Sequence, residues 1–128
     1  MASVVIVDDD PQFRAVLSRL LEREPELRIV DEAGDGEASV RSVRETAPDV
    51  VLMDIRMPGI DGLEATRRIK TERPMTKIVI LTSFAEEAYR RAASESGADA
   101  FLVKKMLTRE LLPTIRRVLA GDPDRRTA

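Results

Sequence analysis

The 128-residue sequence contains no histidine, no cysteine and no tryptophan, and only one tyrosine and three phenylalanines. Without histidine, Ser-His and Cys-His catalysis, imidazole zinc sites and a phosphohistidine carrier are excluded. Without cysteine there are no disulfides, thiolate metal sites or thiol nucleophiles, and the redox compartment is left unconstrained. A positive excess is also missing. The 21 Lys and Arg face 23 Asp and Glu, for a formal charge of -2 and a pI of about 5.3, whereas holding nucleic acid or an anionic membrane takes clustered positive charge. Any DNA contact is therefore expected from another domain. No apolar run approaches a membrane span, and Met1-Ala2-Ser3-Val4-Val5-Ile6-Val7 has neither the basic region nor the apolar length of a signal peptide. The expectation is a soluble, cytoplasmic, single-domain protein, long enough to bury about two-thirds of its unfolded surface.

What the sequence does have is a series of short apolar runs, each stopping on a polar residue. Val4 to Val7 runs into Asp8-Asp9-Asp10-Pro11, which predicts a strand passing into a helix with Asp10 as N-cap and Pro11 at the first helical position. Phe13, Val16, Leu17, Leu20 and Leu21 recur at helical spacing until Glu24-Pro25. Leu27 to Ala33 reads as a second strand, and Asp35-Gly36 as a turn and cap for a weaker helix ending before Pro48. Residues 49–54 form a third strand ending on Asp54, followed by the Pro58-Gly59 turn, Gly62 and a helix toward Pro74. Lys77 to Thr82 is a fourth strand, residues 86–96 a helix closed by Gly97, and residues 100–104 a fifth strand ending on Lys104. Thr108 is expected to cap a last helix through Leu111, Leu112, Ile115, Val118 and Leu119, with Pro113 delaying its start or bending it. Residues 122–128 read as a polar tail or the start of a linker.

Five strand-helix repeats of this kind predict a parallel sheet with right-handed crossovers and helices on both faces. In such a sheet the carboxyl ends of the strands share one edge, so Asp8, Asp9, Asp54, Thr82 and Lys104 converge on one cleft. Two carboxylates about 5 Å apart repel by roughly 3 kcal/mol at an effective dielectric near 20, so three of them need a cation. Mg²⁺ suits an all-oxygen site that keeps waters and bridges to phosphate. Carboxylate, metal, ammonium and hydroxyl together fit phosphoryl transfer, with Asp54 attacking in line.

From about Val4 to Gly121 the sequence resembles the receiver domain of bacterial two-component response regulators: Asp8-Asp9, Asp54-Ile55-Arg56-Met57-Pro58-Gly59, Thr82-Ser83 and Lys104 follow their strands in order and spacing. The resemblance implies a flavodoxin-like (CheY-like), doubly wound α/β fold with strand order 2-1-3-4-5 over residues 1–121. It implies that Asp54 takes a phosphoryl group from a histidine kinase. It also implies that Asp9 binds Mg²⁺ directly, Asp8 through water, and the Arg56 backbone carbonyl as a further ligand. Thr82 and Phe101 fall on the switch positions, and Ser83 and Lys104 on phosphoryl contacts. Lys105 stands where the family often has proline, so a cis bond there is not implied.

The Asp-Pro and Thr-x-Phe neighbourhoods resemble the NarL/FixJ class, although Lys105 departs from it. That class implies dimerisation through the first and last helices and a LuxR-type DNA-binding output domain beyond a linker. A stand-alone receiver is the alternative. An aspartyl-phosphate phosphatase of the haloacid dehalogenase type would need a second acid where Arg56 stands, and an unphosphorylated binding module would keep only the fold. Other residues have plainer readings: Phe101 is an ordinary core aromatic, the arginine pairs Arg67-Arg68, Arg90-Arg91 and Arg116-Arg117 are solvated helix faces, and Arg56 and Phe84 either gate water at the site or are loop residues.

Overall fold

A computed structural model describes residues 1–121; the tail or linker read at residues 122–128 lies outside them. The chain alternates β1 (Ala2–Val7), α1 (Pro11–Glu22), β2 (Leu27–Ala33), α2 (Gly36–Thr46), β3 (Val50–Asp54), α3 (Gly62–Glu72), β4 (Lys77–Thr82), α4 (Glu87–Glu95), β5 (Ala100–Val103) and α5 (Leu107–Leu119). The five strands are parallel in the order β2-β1-β3-β4-β5, the doubly wound arrangement that the sequence implies.

The apolar runs are continuous because both faces of the sheet are covered. Val4, Ile6, Val50, Leu52, Val79, Leu81, Ala100 and Leu102 join Leu17 and Leu21 of α1 and Leu107, Leu111, Ile115 and Val118 of α5 in one core cluster. The alternate residues Val5, Val7, Val51, Met53, Ile78, Ile80 and Phe101 join Val40 and Val43 of α2, Ala65 and Ile69 of α3 and Ala93 of α4 in the other. Continuing the two-residue alternation past the apolar residues assigns Asp8, Asp54 and Lys104 to the α1/α5 side and Thr82 to the opposite side. The cleft thus inherits its two sides from the pleat of the strands.

Local caps agree with the sequence at two helices, through Asp10 and Asp35, and a third cap, Asp61, was not anticipated. Asp10, Asp35 and Asp61 each sit in extended backbone and accept from the N–H of Gln12, Ala38 and Glu64. Gly59 and Gly97 take left-handed backbone, with φ of 77° and 99°, as the Pro58-Gly59 turn and the helix stop require.

Several expectations need correction. Val16 is 39 % exposed, so the buried stripe of α1 is narrower than its apolar pattern and rests on Leu17 and Leu21. Strand β5 stops at Val103, and Lys104 opens a single 3-10 turn (Lys104–Met106) that runs straight into α5. Consequently α5 begins at Leu107, Met106 holds the cap position without a side-chain bond, and Thr108 is not the cap. Pro113 lies inside the continuous helix. It is exposed, as is Arg109 four residues earlier, so water can reach the carbonyl that loses its partner.

Candidate functional site

Two of the three acids of the cleft are held by a backbone N–H as well as by charge. Asp8 follows β1 and is 1 % exposed; its Oδ1 accepts the Asp10 N–H at 2.9 Å and its Oδ2 accepts Lys104 Nζ at 2.8 Å. Asp9 is exposed. Asp54 ends β3 with 8 % exposure, and its Oδ1 accepts the Ile55 N–H at 3.0 Å and lies 3.5 Å from Lys104 Nζ. One lysine therefore bridges two carboxylates.

That single cation does not balance the site. Burial, reinforced by the nearby charge of Asp8, raises the Asp54 carboxyl to about 6, against the lowering effect of Lys104 and the Ile55 N–H. The cleft is therefore poised to accept more positive charge. Asp8, Asp9 and Asp54 each offer a carboxylate oxygen, and these oxygens lie within 4.8 Å of one another. Mg²⁺ takes a few carboxylate oxygens and keeps several waters, so acids at this spacing could hold it partly directly and partly through its waters. The donor set and its spacing fit that ion.

The loop after Asp54 has little freedom. The Gly62 N–H donates to the Ile55 carbonyl at 2.7 Å, and a Cβ on Gly62 would stand 1.9 Å from the Asp54 carbonyl oxygen. Any side chain there would push the acid-bearing backbone aside. On the other flank, Arg14 Nη1 donates to the Asp8 carbonyl at 2.6 Å while its Nε pairs with Glu32 of β2 at 3.1 Å. Phe13, beside it in α1, places its ring centroid 4.1 Å from Lys104 Nζ.

The remaining candidates lie on the α4 side. Thr82 is buried and its hydroxyl accepts the Phe84 N–H at 3.2 Å, leaving its own proton to donate elsewhere. Ser83 is exposed on the same loop. Phe101 is 1 % exposed, with the Arg90 guanidinium 4.5 Å above its ring. The Arg56 side chain stacks on Phe84 at 4.2 Å and donates to the Tyr89 hydroxyl at 3.0 Å, and the Phe84 and Tyr89 rings stack at 5.3 Å. The structure thus gathers Asp8, Asp9, Asp54 and Lys104 into one polar cluster and places Thr82, Ser83 and Phe101 across the strand edge from it.

Sequence reasoning missed the part played by Arg14, Tyr89 and Gly62. The signals were present but weak: a basic residue in the first turn of α1 amid apolar neighbours, the only tyrosine, and a glycine directly after a capping aspartate.

Comparison with known proteins agrees with this geometry. Residues 4–116 match the family described as the response regulator receiver domain. The chain is 38 % identical over 123 residues to the transcriptional regulatory protein LiaR of Bacillus subtilis, covering 96 % of this chain and 58 % of LiaR. It is 40 % identical over 121 residues to the response regulator UvrY of Escherichia coli, covering 94 % and 56 % of the two chains. It spans a little over half the length of these relatives. Among solved structures, a LuxR-family two-component response regulator from an Aurantimonas species superposes with a TM-score of 0.92 at 38 % identity, over 96 % of this chain and 88 % of that one. The signal receiver domain of a NarL response regulator from Mycobacterium tuberculosis gives 0.89 at 31 %, over 94 % and 97 %. With the acid cluster, its lysine, four whole strands and most of β1 inside the matched residues, the chain belongs to the response regulator family and is a receiver domain of two-component signalling.

Proposed function

We propose that Asp54 is the phosphoacceptor of this receiver and that the cleft transfers a phosphoryl group to it from the phosphohistidine of a sensor kinase. The observation that supports this most is the placement of Asp54: a carboxylate at the end of a fully buried strand, 3.5 Å from Lys104 Nζ and within reach of two further acids. Its oxygen attacks phosphorus in line, the P–N bond breaks, and the imidazole leaves with the electron pair and takes up a proton. Lys104 stays beside the oxygens on which charge develops. When Mg²⁺ is bound, Asp9 would hold it directly, Asp8 would act through water, and Asp54 and the Arg56 carbonyl would complete the protein's contribution. Two facts support that division: both oxygens of Asp8 are already engaged, while Asp9 is exposed. Bound Mg²⁺ supplies charge neutralisation for the transferring oxygens. The Thr82 and Ser83 hydroxyls then donate to the phosphoryl group, and Phe101 reports the change to the α4 side of the sheet.

Incubation with acetyl phosphate and Mg²⁺, followed by intact-mass measurement, tests the assignment. One phosphoryl adduct is expected on the wild type and none on Asp54→Asn; equal adducts on both proteins would overturn it. No sustained turnover of a small phosphomonoester is expected, because a haloacid dehalogenase-type phosphatase would need an acid where Arg56 turns its side chain to Phe84 and Tyr89.

The phosphorylated state is proposed to self-associate through α1 and α5. Val16 is exposed on α1, and Phe13 and Leu20 flank it half-buried. A regulator of transcription, as LiaR is described, would reach DNA through a further domain. Sedimentation with and without beryllofluoride and Mg²⁺ checks the association, and equal masses at high concentration would count against it.

A further inference from the structure

Lys104 reaches the cleft on a flexible four-carbon stem from the first residue of a 3-10 turn, so its ammonium needs something to hold it in place. Two carboxylates take two of its directions, Asp8 at 2.8 Å and Asp54 at 3.5 Å. The Phe13 ring takes a third, with its centroid 4.1 Å from Nζ. An ammonium is a strongly hydrated point charge with three donors, and an aromatic face is a place for it to lie where water would otherwise compete. The lysine side chain is 20 % exposed, so most of it is shielded from water.

Phe13 is itself fixed by the loop that carries the acids. Asp10 caps α1 by accepting from Gln12, Asp8 accepts the Asp10 N–H, and Arg14 donates to the Asp8 carbonyl. The backbone that carries the ring is therefore tied to Asp8, the nearer of the two carboxylates. Phe13 is only half-buried and packs at the margin of the α1/α5 core, where a ring held for core volume alone would resemble the fully buried Leu17 and Leu21.

We propose that Phe13 is a positioning residue for Lys104: the face of its ring holds the ammonium between Asp8 and Asp54 and thereby sets how fast Asp54 takes up a phosphoryl group. The rate part rests on the Asp54 acceptor reading, while the contact itself does not.

The test uses Phe13→Leu, Phe13→Tyr, Lys104→Met and the Phe13→Leu/Lys104→Met double variant. Two signals are followed: the ring-current-shifted ε-methylene resonances of Lys104 in the metal-free protein, and the rate of adduct formation with acetyl phosphate at saturating Mg²⁺. Phe13→Leu should abolish the ring-current shift and slow uptake about three- to tenfold, the range of a cation held by one aromatic face. Phe13→Tyr should keep both, and Phe13→Leu should add no slowing to Lys104→Met. Unchanged Lys104 resonances in Phe13→Leu would overturn the contact. Equal slowing of the wild type and Lys104→Met by Phe13→Leu would overturn the positioning role and leave a packing role. Absence of any adduct on the wild type would instead overturn the acceptor reading and the rate part with it, and the resonances would still decide the contact.

Discussion

On the α1/α5 side of the cleft, Asp8, Lys104, Phe13 and Arg14 are joined by contacts of 2.6 to 4.1 Å that run between buried or half-buried groups. On the α4 side, Arg56, Phe84 and Tyr89 stack on one another from exposed or half-buried positions, and Thr82 is held through one 3.2 Å bond. The first side uses full charges in a low-dielectric setting, where each partner is costly to remove. The second uses a guanidinium stacked on aromatic rings near solvent, with Thr82 buried behind it, and cation contacts at exposed positions contribute little. The first side is thus a charge frame tied from several directions, and the second an edge with weaker ties.

The largest predicted effect falls where the two sides share backbone. Gly62→Ala should destabilise the protein by about 3 kcal/mol or more, because its Cβ meets the Asp54 carbonyl and not a movable side chain. Gly59→Ala, with φ of 77° but nothing within 4 Å, should cost only about 1 kcal/mol. Paired urea titrations compare them, and similar midpoints would show that the loop can relax around both.

Next comes the frustrated charge on the α1/α5 side. With its carboxyl raised from 3.8 to about 6, folded metal-free protein holds a proton that the unfolded chain has lost between those values. The Asp54 contribution to stability therefore falls as pH rises from about 4 to about 6 and then levels. Asp54→Asn should remove this slope and stabilise the metal-free protein at neutral pH by about 2 to 3 kcal/mol, and Mg²⁺ should offset the wild-type deficit. Denaturation in chelator across this range is the measurement; a wild type that gains stability between pH 4 and 6 relative to Asp54→Asn would contradict the assigned cause.

Arg14→Ala should cost about 1 to 2 kcal/mol, from the lost bond to the Asp8 carbonyl and the Glu32 pair. It should also weaken Mg²⁺ binding severalfold in calorimetry, because Asp8 and Asp9 share that turn. The smallest effect belongs to the α4 side. Tyr89→Phe keeps the stack on Phe84 and loses only the exposed Arg56 bond, so its stability should stay within about 0.5 kcal/mol of the wild type. A larger loss there than in Arg14→Ala would reverse the contrast between the two sides.

The sequence made the strands and the acid cluster legible for one reason: buried parallel strands are apolar throughout, so Asp8, Asp54, Thr82 and Lys104 stand out as the points where that rule stops. Strand periodicity even assigns them to sides of the sheet. Contacts set by tertiary approach were not legible. Lys104 and Asp8, 96 positions apart, were expected to meet at the shared strand ends and do, but nothing local places Phe13 against that lysine or Tyr89 against Arg56. The start of α5 was misread because Thr108 looks like a cap, yet the 3-10 turn out of β5 carries the chain into the helix without one. Val16 was misread because apolar spacing marks a helical face without showing how much of it the core covers.

The tyrosine on the α4 side has a practical consequence. The sequence has no tryptophan and Tyr89 is its sole tyrosine, stacked on Phe84 and bonded through its hydroxyl to Arg56. Excited at wavelengths where phenylalanine does not absorb, the unlabelled protein thus emits from one residue at the rim of its own cleft, and a rearrangement of that rim would be read in that emission.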